Sequence, residues 1–178
     1  MNLETGLVQV YTGNGKGKTT AAIGQGMRCY GNGFKVIMVQ FLKSGETGEL
    51  NTVKELNDRF TIYRFEKEKG FTWTLSETEK IQLKSEIKEA INFIYDVIEK
   101  KSCDMLIIDE IMGTLHSGYI KEEQILDIIK RKPEKMELIL TGRNVPKTII
   151  EKSDLVTEMK DIKHYFNKGI NARKGIEY

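Results

Sequence analysis

The chain is poor in residues that interrupt, bridge or anchor a fold. Two prolines in 178 residues, with no low-complexity stretch, leave no visible interdomain linker or internal repeat. The two cysteines, Cys29 and Cys103, lack metal-ligand spacing and are too few for a disulfide framework. They read as free thiols of a reducing, cytoplasmic compartment. No apolar run approaches the roughly 20 residues that span a bilayer, and the N-terminus has no signal-peptide core. An excess of one charge is missing too. Lys and Arg number 28 against 26 Asp and Glu, for a net +2, and no basic stripe interleaved with aromatics is present. A membrane or nucleic-acid partner is therefore not expected. The length suits one domain, 1–178, with a sizeable core.

What is present begins near the N-terminus. Gly6-Leu7-Val8-Gln9-Val10-Tyr11 reads as a short buried strand, and Ala21 to Tyr30 is compatible with a helix. Between them lies Thr12-Gly13-Asn14-Gly15-Lys16-Gly17-Lys18-Thr19-Thr20. Strand, glycine-rich turn, Lys-Thr and helix together make a phosphate-binding loop. Successive glycines let backbone N–H groups turn inward, where they and the helix N-terminus attract phosphate oxygens. Gly13, Asn14, Gly15, Lys16, Gly17, Lys18, Thr19 and Thr20 are the expected nucleotide-binding residues. Lys18 supplies positive charge, and Thr19 is placed to ligate Mg²⁺. One position departs from the usual G-x-x-x-x-G-K-[ST]: Thr12 stands where glycine is expected, and Gly13 follows.

Beyond the loop, strand and helix signals alternate. Gly31-Asn32-Gly33 stops the first helix. Lys35 to Phe41 is an almost wholly apolar strand, as expected when both faces of a sheet are covered. A polar loop over 44–49 follows, then a further strand candidate, Phe60 to Phe65. Ser76-Glu77-Thr78-Glu79 reads as a capping box opening a helix to about Lys101. Its apolar face is built from Ile87, Ile91, Ile94 and Ile98.

Met105-Leu106-Ile107-Ile108-Asp109-Glu110 is the second chemical signal: an apolar strand that delivers two carboxylates to its C-terminal edge. Ligands of open α/β sheets collect at that edge. Asp109 and Glu110 are candidates to hold Mg²⁺ directly or through water, although such a strand end, taken alone, is as often merely solvated. Glu137 to Leu140 forms another strand, ending in Thr141-Gly142-Arg143. Arg143 could meet a phosphate, a substrate carbonyl or a surface carboxylate. Asp154 to Met159 completes the set of strand candidates. His116 and His164 read as structural or exposed groups.

At this point the chain resembles a family. Gly13 to Thr20, Val39-Gln40-Phe41-Leu42-Lys43, Gly70-Phe71-Thr72-Trp73, Ile108-Asp109-Glu110, Leu140 to Arg143, Asp154 to Met159 and the ending Ala172 to Tyr178 are similar, in order, to blocks of the CobA-type ATP:corrinoid adenosyltransferases. The shifted first glycine is how that family's loop is written. The resemblance implies an α/β, RecA-like P-loop fold with a mostly parallel central sheet. It also implies transfer of the 5′-deoxyadenosyl group of ATP to the Co(I) of a reduced corrinoid, with triphosphate as leaving group. ATP would lie in the reverse sense to most P-loop proteins. By the same resemblance, Lys18 and Thr19 take phosphate and Mg²⁺, Glu110 is the Mg²⁺ carboxylate, and Asn14 contacts ribose or base. Phe71 and Trp73 pack beneath the corrin ring and displace its lower ligand. With Lys18 and Arg143 they make up the expected catalytic set. A flavodoxin-like reductant and a homodimer are the implied protein partners. Family members often carry an N-terminal helical extension over the site, whereas about five residues precede the first strand here. Tyr165 stands where the family commonly has proline. A RecA-like ATPase cleaving the β–γ bond, and a non-catalytic corrinoid or nucleotide carrier, are the alternatives that share these motifs.

Overall fold

The computed structural model describes residues 3–43, 45–67 and 75–177. Its centre is a six-stranded sheet in the order β3-β2-β4-β5-β1-β6, with every adjacent pair parallel. The strands are β1 (Val8–Thr12), β2 (Val36–Gln40), β3 (Phe60–Tyr63), β4 (Met105–Asp109), β5 (Glu137–Thr141) and β6 (Leu155–Glu158). Parallel neighbours need crossover connections. These are supplied by α1 (Lys18–Gly31), α2 (Gly48–Lys54), α3 (Glu77–Glu99), α4 (Ile111–His116), α5 (Glu122–Arg131) and α6 (Lys147–Glu151). A 3₁₀ turn, Tyr165–Lys168, lies in the C-terminal segment.

Burial on both faces explains the near-continuous apolar strands. Ile37, Val39, Leu106, Ile108, Leu138 and Leu140 pack on one side with the isoleucine face of α3 and with Ile125 and Ile128 of α5. Their chain neighbours Val36, Met38, Met105, Ile107 and Ile139 point the other way, toward Ala22 and Cys29 of α1 and toward Phe60. This is the two-residue alternation of a strand expressed in a sheet with no wet face. The capping box of α3 is closed: Ser76 N–H donates to Glu79 Oε2 at 2.8 Å, and Glu79 N–H donates to Ser76 Oγ at 3.3 Å.

The polar loop expected over 44–49 is shorter in the structure, because α2 begins at Gly48. Arg64 ties this region down, donating to the Gly45 carbonyl and to Thr47 Oγ1. Burial pushes the cysteine thiols up, to about 11 for Cys29 and about 12 for Cys103, so both stay protonated and unreactive near neutral pH. No helix among the described residues is long and apolar enough to cross a membrane.

Parallel register determines where the chemistry gathers. Gln40 pairs with Asp109, Tyr11 with Thr141, and Thr12 with Glu158. The ends of five strands therefore meet along one edge. β5 lies between β1 and β4, so the phosphate loop and the acidic strand end face each other across Thr141.

Candidate functional site

The phosphate loop is shaped by its contact with the end of β6. Gly15 N–H donates to the Met159 carbonyl at 2.8 Å, and Met159 N–H donates to the Thr12 carbonyl at 2.8 Å. A Cβ on Gly13 would lie 2.3 Å from the Met159 carbonyl oxygen, and Gly13 has φ 96°. Both demands call for glycine. Thr12, by contrast, is the last residue of β1, paired with Glu158, and needs no special conformation. The displaced glycine of the motif thus has a structural cause.

Gly17, with φ 114°, caps α1. Lys18 and Thr19 are then the first residues of that helix, where unpaired N–H groups favour anions. The Lys18 ammonium is buried and donates to the Gly13 and Gly15 carbonyls at 2.7 and 2.9 Å. Burial lowers its pKa, opposed by Glu110 and Asp109, while Arg143 adds to the lowering.

Asp109 is the electrostatic centre of the site. It is completely buried, and such a carboxylate persists only when its oxygens are satisfied. Oδ1 accepts from Thr19 Oγ1 at 2.9 Å and Thr141 Oγ1 at 2.7 Å. Oδ2 accepts from the Lys43 ammonium at 2.9 Å and from Gln40 Nε2 at 3.3 Å. Gln40 is itself held by Arg64 Nε at 2.8 Å. Glu110 follows in a left-handed conformation, φ 59°, and its N–H donates to Thr141 Oγ1 at 2.9 Å. Burial, with a contribution from Asp109, raises the Glu110 pKa. Lys43, Lys18 and Arg143 pull it back.

A cavity of about 790 Å³ opens over these groups, lined by Lys18, Thr19, Lys43, Glu110 and Arg143 among others. The expected residues Asn14, Gly15, Lys16, Gly17 and Thr20 also line it. Lys16, however, is turned toward the C-terminal segment. Its ammonium donates to the Ile176 carbonyl and to Glu177 Oε1, both at 3.2 Å. Glu177 also accepts from the Arg173 N–H at 2.7 Å and from the Tyr165 hydroxyl, and the Arg173 guanidinium lies 4.8 Å from the centre of the Tyr165 ring. The C-terminal segment is therefore clasped to the phosphate loop and forms one wall of the cavity. His164 lines that wall and accepts from the Phe166 N–H through Nδ1.

The oxygen donors suit a hard divalent ion such as Mg²⁺. Thr19 Oγ1 and Asp109 already hold a positive group between them, since Lys43 Nζ is 3.2 Å from the hydroxyl and 2.9 Å from the carboxylate. Oxygen donors of this kind, with Glu110 beside them, are what Mg²⁺ takes together with phosphate oxygens. No cluster of three or more His, Cys, Asp or Glu side chains arranged for a metal occurs among the described residues.

Thr19, Asp109, Glu110 and Arg143 stand out in the sequence, whereas Lys43, Gln40, Thr141 and Glu177 carry no role that is legible there. The available signal was a polar residue ending an otherwise apolar strand, as Gln40 ends β2 and Thr141 ends β5. Phe71 and Trp73 lie outside the described residues.

The ATP:corrinoid adenosyltransferase BtuR/CobO/CobP family matches residues 4–178. The corrinoid adenosyltransferase of Escherichia coli (strain K12) is 34% identical over 176 residues, covering 98% of this chain and 87% of that protein. The corrinoid adenosyltransferase of a Sinorhizobium species is 36% identical over 178 residues, covering 98% and 81%. Corrinoid adenosyltransferase CobA of Salmonella typhimurium is 32% identical, covering 98% and 87%. Among solved structures, a KaiC-like protein of Pyrococcus horikoshii OT3 superposes with a TM-score of 0.55 at 15% identity, over 89% of this chain and 74% of that one. That likeness concerns the fold and agrees with the RecA-like P-loop architecture. Sequence blocks, phosphate loop and acidic strand end thus converge, and this chain belongs to the ATP:corrinoid adenosyltransferase family.

Proposed function

We propose that the protein transfers the 5′-deoxyadenosyl group of MgATP to the Co(I) of a reduced corrinoid. The cobalt lone pair forms the Co–C5′ bond, the C5′–O5′ bond breaks, and its electron pair leaves with triphosphate. The observation that carries this reading is the gathering of Lys18, Thr19, Asp109, Glu110 and Arg143 at one sheet edge, in a chain of this family. The substrate metal is the nucleophile, so the protein need only hold the triphosphate and align C5′ with it. Lys18, the N-terminus of α1 and Arg143 face the charge that grows on the leaving group. Mg²⁺, when bound, would neutralise part of that charge; Thr19 and Glu110 would hold it, and Asp109 would orient Thr19. Asn14 is assigned to the ribose or base, with ATP lying in reverse across the loop. Phe71 and Trp73 are assigned to the lower face of the corrin. There they would remove an axial donor, so that Co(II) accepts an electron more readily, delivered by a flavodoxin-like reductant. A homodimer is part of the same proposal.

An anaerobic reaction with MgATP and chemically reduced cob(I)alamin, followed by phosphorus NMR, tests this reading. Enzyme-dependent triphosphate together with adenosylcobalamin is the expected result. ADP and orthophosphate without a cobalt–carbon product would overturn it. Replacement of Phe71 or Trp73 should depress the reaction that starts from Co(II) more than the one that starts from prepared Co(I).

A further inference from the structure

We propose that Lys43 competes with the divalent cation for its own site and turns onto the triphosphate when the metal is seated. This rests on the MgATP reading above. Lys43 Nζ lies within hydrogen-bond distance of Asp109 Oδ2 and of Thr19 Oγ1. An ion ligated by that hydroxyl and neutralised by that carboxylate needs the same place. Two positive groups cannot share it, so the metal enters only as the ammonium leaves.

The chain is built to put Lys43 there. Leu42, directly before it, has φ 55°, a conformation a branched residue adopts only when its surroundings enforce it. Two contacts enforce it. The Leu42 N–H donates to Glu66 Oε1 at 2.7 Å, and a Cβ on Gly113 would come within 2.8 Å of Leu42 Cδ1, so the leucine is seated on a glycine of α4. The backbone then leads Lys43 back over the sheet edge. Its side chain is about one-quarter exposed, whereas Asp109 is sealed, so the ammonium is the mobile member of the pair. Displaced from Asp109, it stays inside the cavity that it lines with Lys18 and Arg143. There it becomes a third cation for the triphosphate. A bare divalent ion must expel Lys43 with no new anion to receive it. An ion arriving with triphosphate brings that anion along. Lys43 would thus make metal entry depend on the nucleotide.

The test compares wild type with Lys43→Met and Lys43→Gln, using Mn²⁺ as probe and counting free ion by electron paramagnetic resonance. In protein without nucleotide, both variants should bind Mn²⁺ about tenfold more tightly than wild type, a change of about 1.4 kcal/mol. With inorganic triphosphate present, both should hold the Mn²⁺–triphosphate pair about tenfold less tightly. Lys43→Arg, which keeps the charge, should restore the triphosphate affinity. Unchanged or weaker Mn²⁺ binding by Lys43→Met and Lys43→Gln would overturn the competition and leave Lys43 a fixed ion-pair partner of Asp109. A wild type that binds no Mn²⁺ even with triphosphate would overturn the MgATP reading itself, an outcome distinct from the first. Thermal melts identify a variant that fails to fold, in which case the other neutral variant decides.

Discussion

Two lysine–carboxylate pairs stand on opposite sides of the phosphate loop, and they differ in almost everything except their chemistry. Lys43 and Asp109 are 2.9 Å apart, with the carboxylate completely sealed. Lys16 and Glu177 are 3.2 Å apart, with the lysine about half exposed and the glutamate side chain 16% exposed. Asp109 sits at the end of β4, a strand buried throughout. Glu177 belongs to the segment that follows β6, a strand exposed at every position. A sealed carboxylate feels a low effective dielectric and makes strong demands on its neighbours. A pair with one half-exposed member is partly screened by water and salt and contributes less to stability. The first pair lies within the chemistry of the site, with Asp109 as its fixed member and Lys43 as its mobile one, and the second fastens the C-terminal segment to the phosphate loop. The fixed element at the sheet edge is Asp109 itself, held by Thr19, Thr141 and Gln40.

The comparison can be broken first from beneath β4. Leu106 is fully buried between the sheet and α3. Leu106→Ala should lose about 2–5 kcal/mol of stability, read by urea unfolding. The matching change in β6, Leu155→Ala, should stay within about 0.5 kcal/mol, because Leu155 is 44% exposed and surface substitutions rarely cost more. Equal losses would mean that β6 is covered in solution.

Next in size is the loss of charge at each carboxylate. Asp109→Asn keeps the volume but removes the charge and turns one of the two acceptor oxygens, which serve Thr19, Thr141, Gln40 and Lys43, into a donor. Adenosyl transfer should fall about 10–100-fold, as when groups that orient metal ligands are removed. Glu177→Gln should change single-turnover transfer by less than about threefold, since Glu177 bonds to Lys16, Arg173 and Tyr165 and its loss leaves the hydrogen bonds of Asp109 in place. A larger loss in Glu177→Gln than in Asp109→Asn would reverse the assignment of roles.

The smallest effects come from salt and pH, and they sharpen the distinction between the pairs. Raising ionic strength to about 1 M shortens the screening length to about 3 Å. Hydrogen exchange in 161–177 should then quicken while that of 105–109 stays slow. Arg173 and Tyr165 hold the Glu177 carboxyl below the usual carboxylate range. A lowered folded value means that the clasp is fully present above about pH 4.3, the ordinary glutamate pKa, and is lost as pH falls through the lowered value. Exchange in the segment should therefore be flat from neutral pH to the ordinary carboxylate range, once intrinsic rates are divided out, and rise only in stronger acid. An opening between pH 6 and 8 would contradict this.

Local chemistry made much of the molecule readable from sequence. The phosphate loop, its flanking strand and helix, the capping box of α3 and the β4 ending in Asp109 all lie where their residues suggested. Short helices were harder. Gly48–Lys54 spans seven residues and opens inside a polar stretch, too short for a 3.6-residue period to stand out. Lys147–Glu151 has five. Glu122–Arg131 buries Ile125 and Ile128, with Leu126 and Ile129 partly buried beside them, a pattern of ten residues in which charged neighbours dilute the period. Lys16 illustrates the limit within the site. Its place in a glycine-rich loop pointed to phosphate, but its partner lies 161 positions away, beyond any local signal.

Residue order alone dictates the kinds of chemistry available: glycines that let backbone N–H groups converge, a Lys-Thr pair to open a helix, and an apolar strand ending in carboxylates. Those features depend on torsional freedom, hydrogen-bonding groups and periodicity, which act over a few residues. Tertiary structure decided which of these groups meet. Parallel register brought Gln40, Asp109 and Thr141 to one edge. The Gly113 seat turned Leu42 so that Lys43 faces Asp109. The end of β6 required glycine at 13 rather than 12. Contacts of that kind join side chains far apart in the chain, and their direction exists only once the sheet has formed.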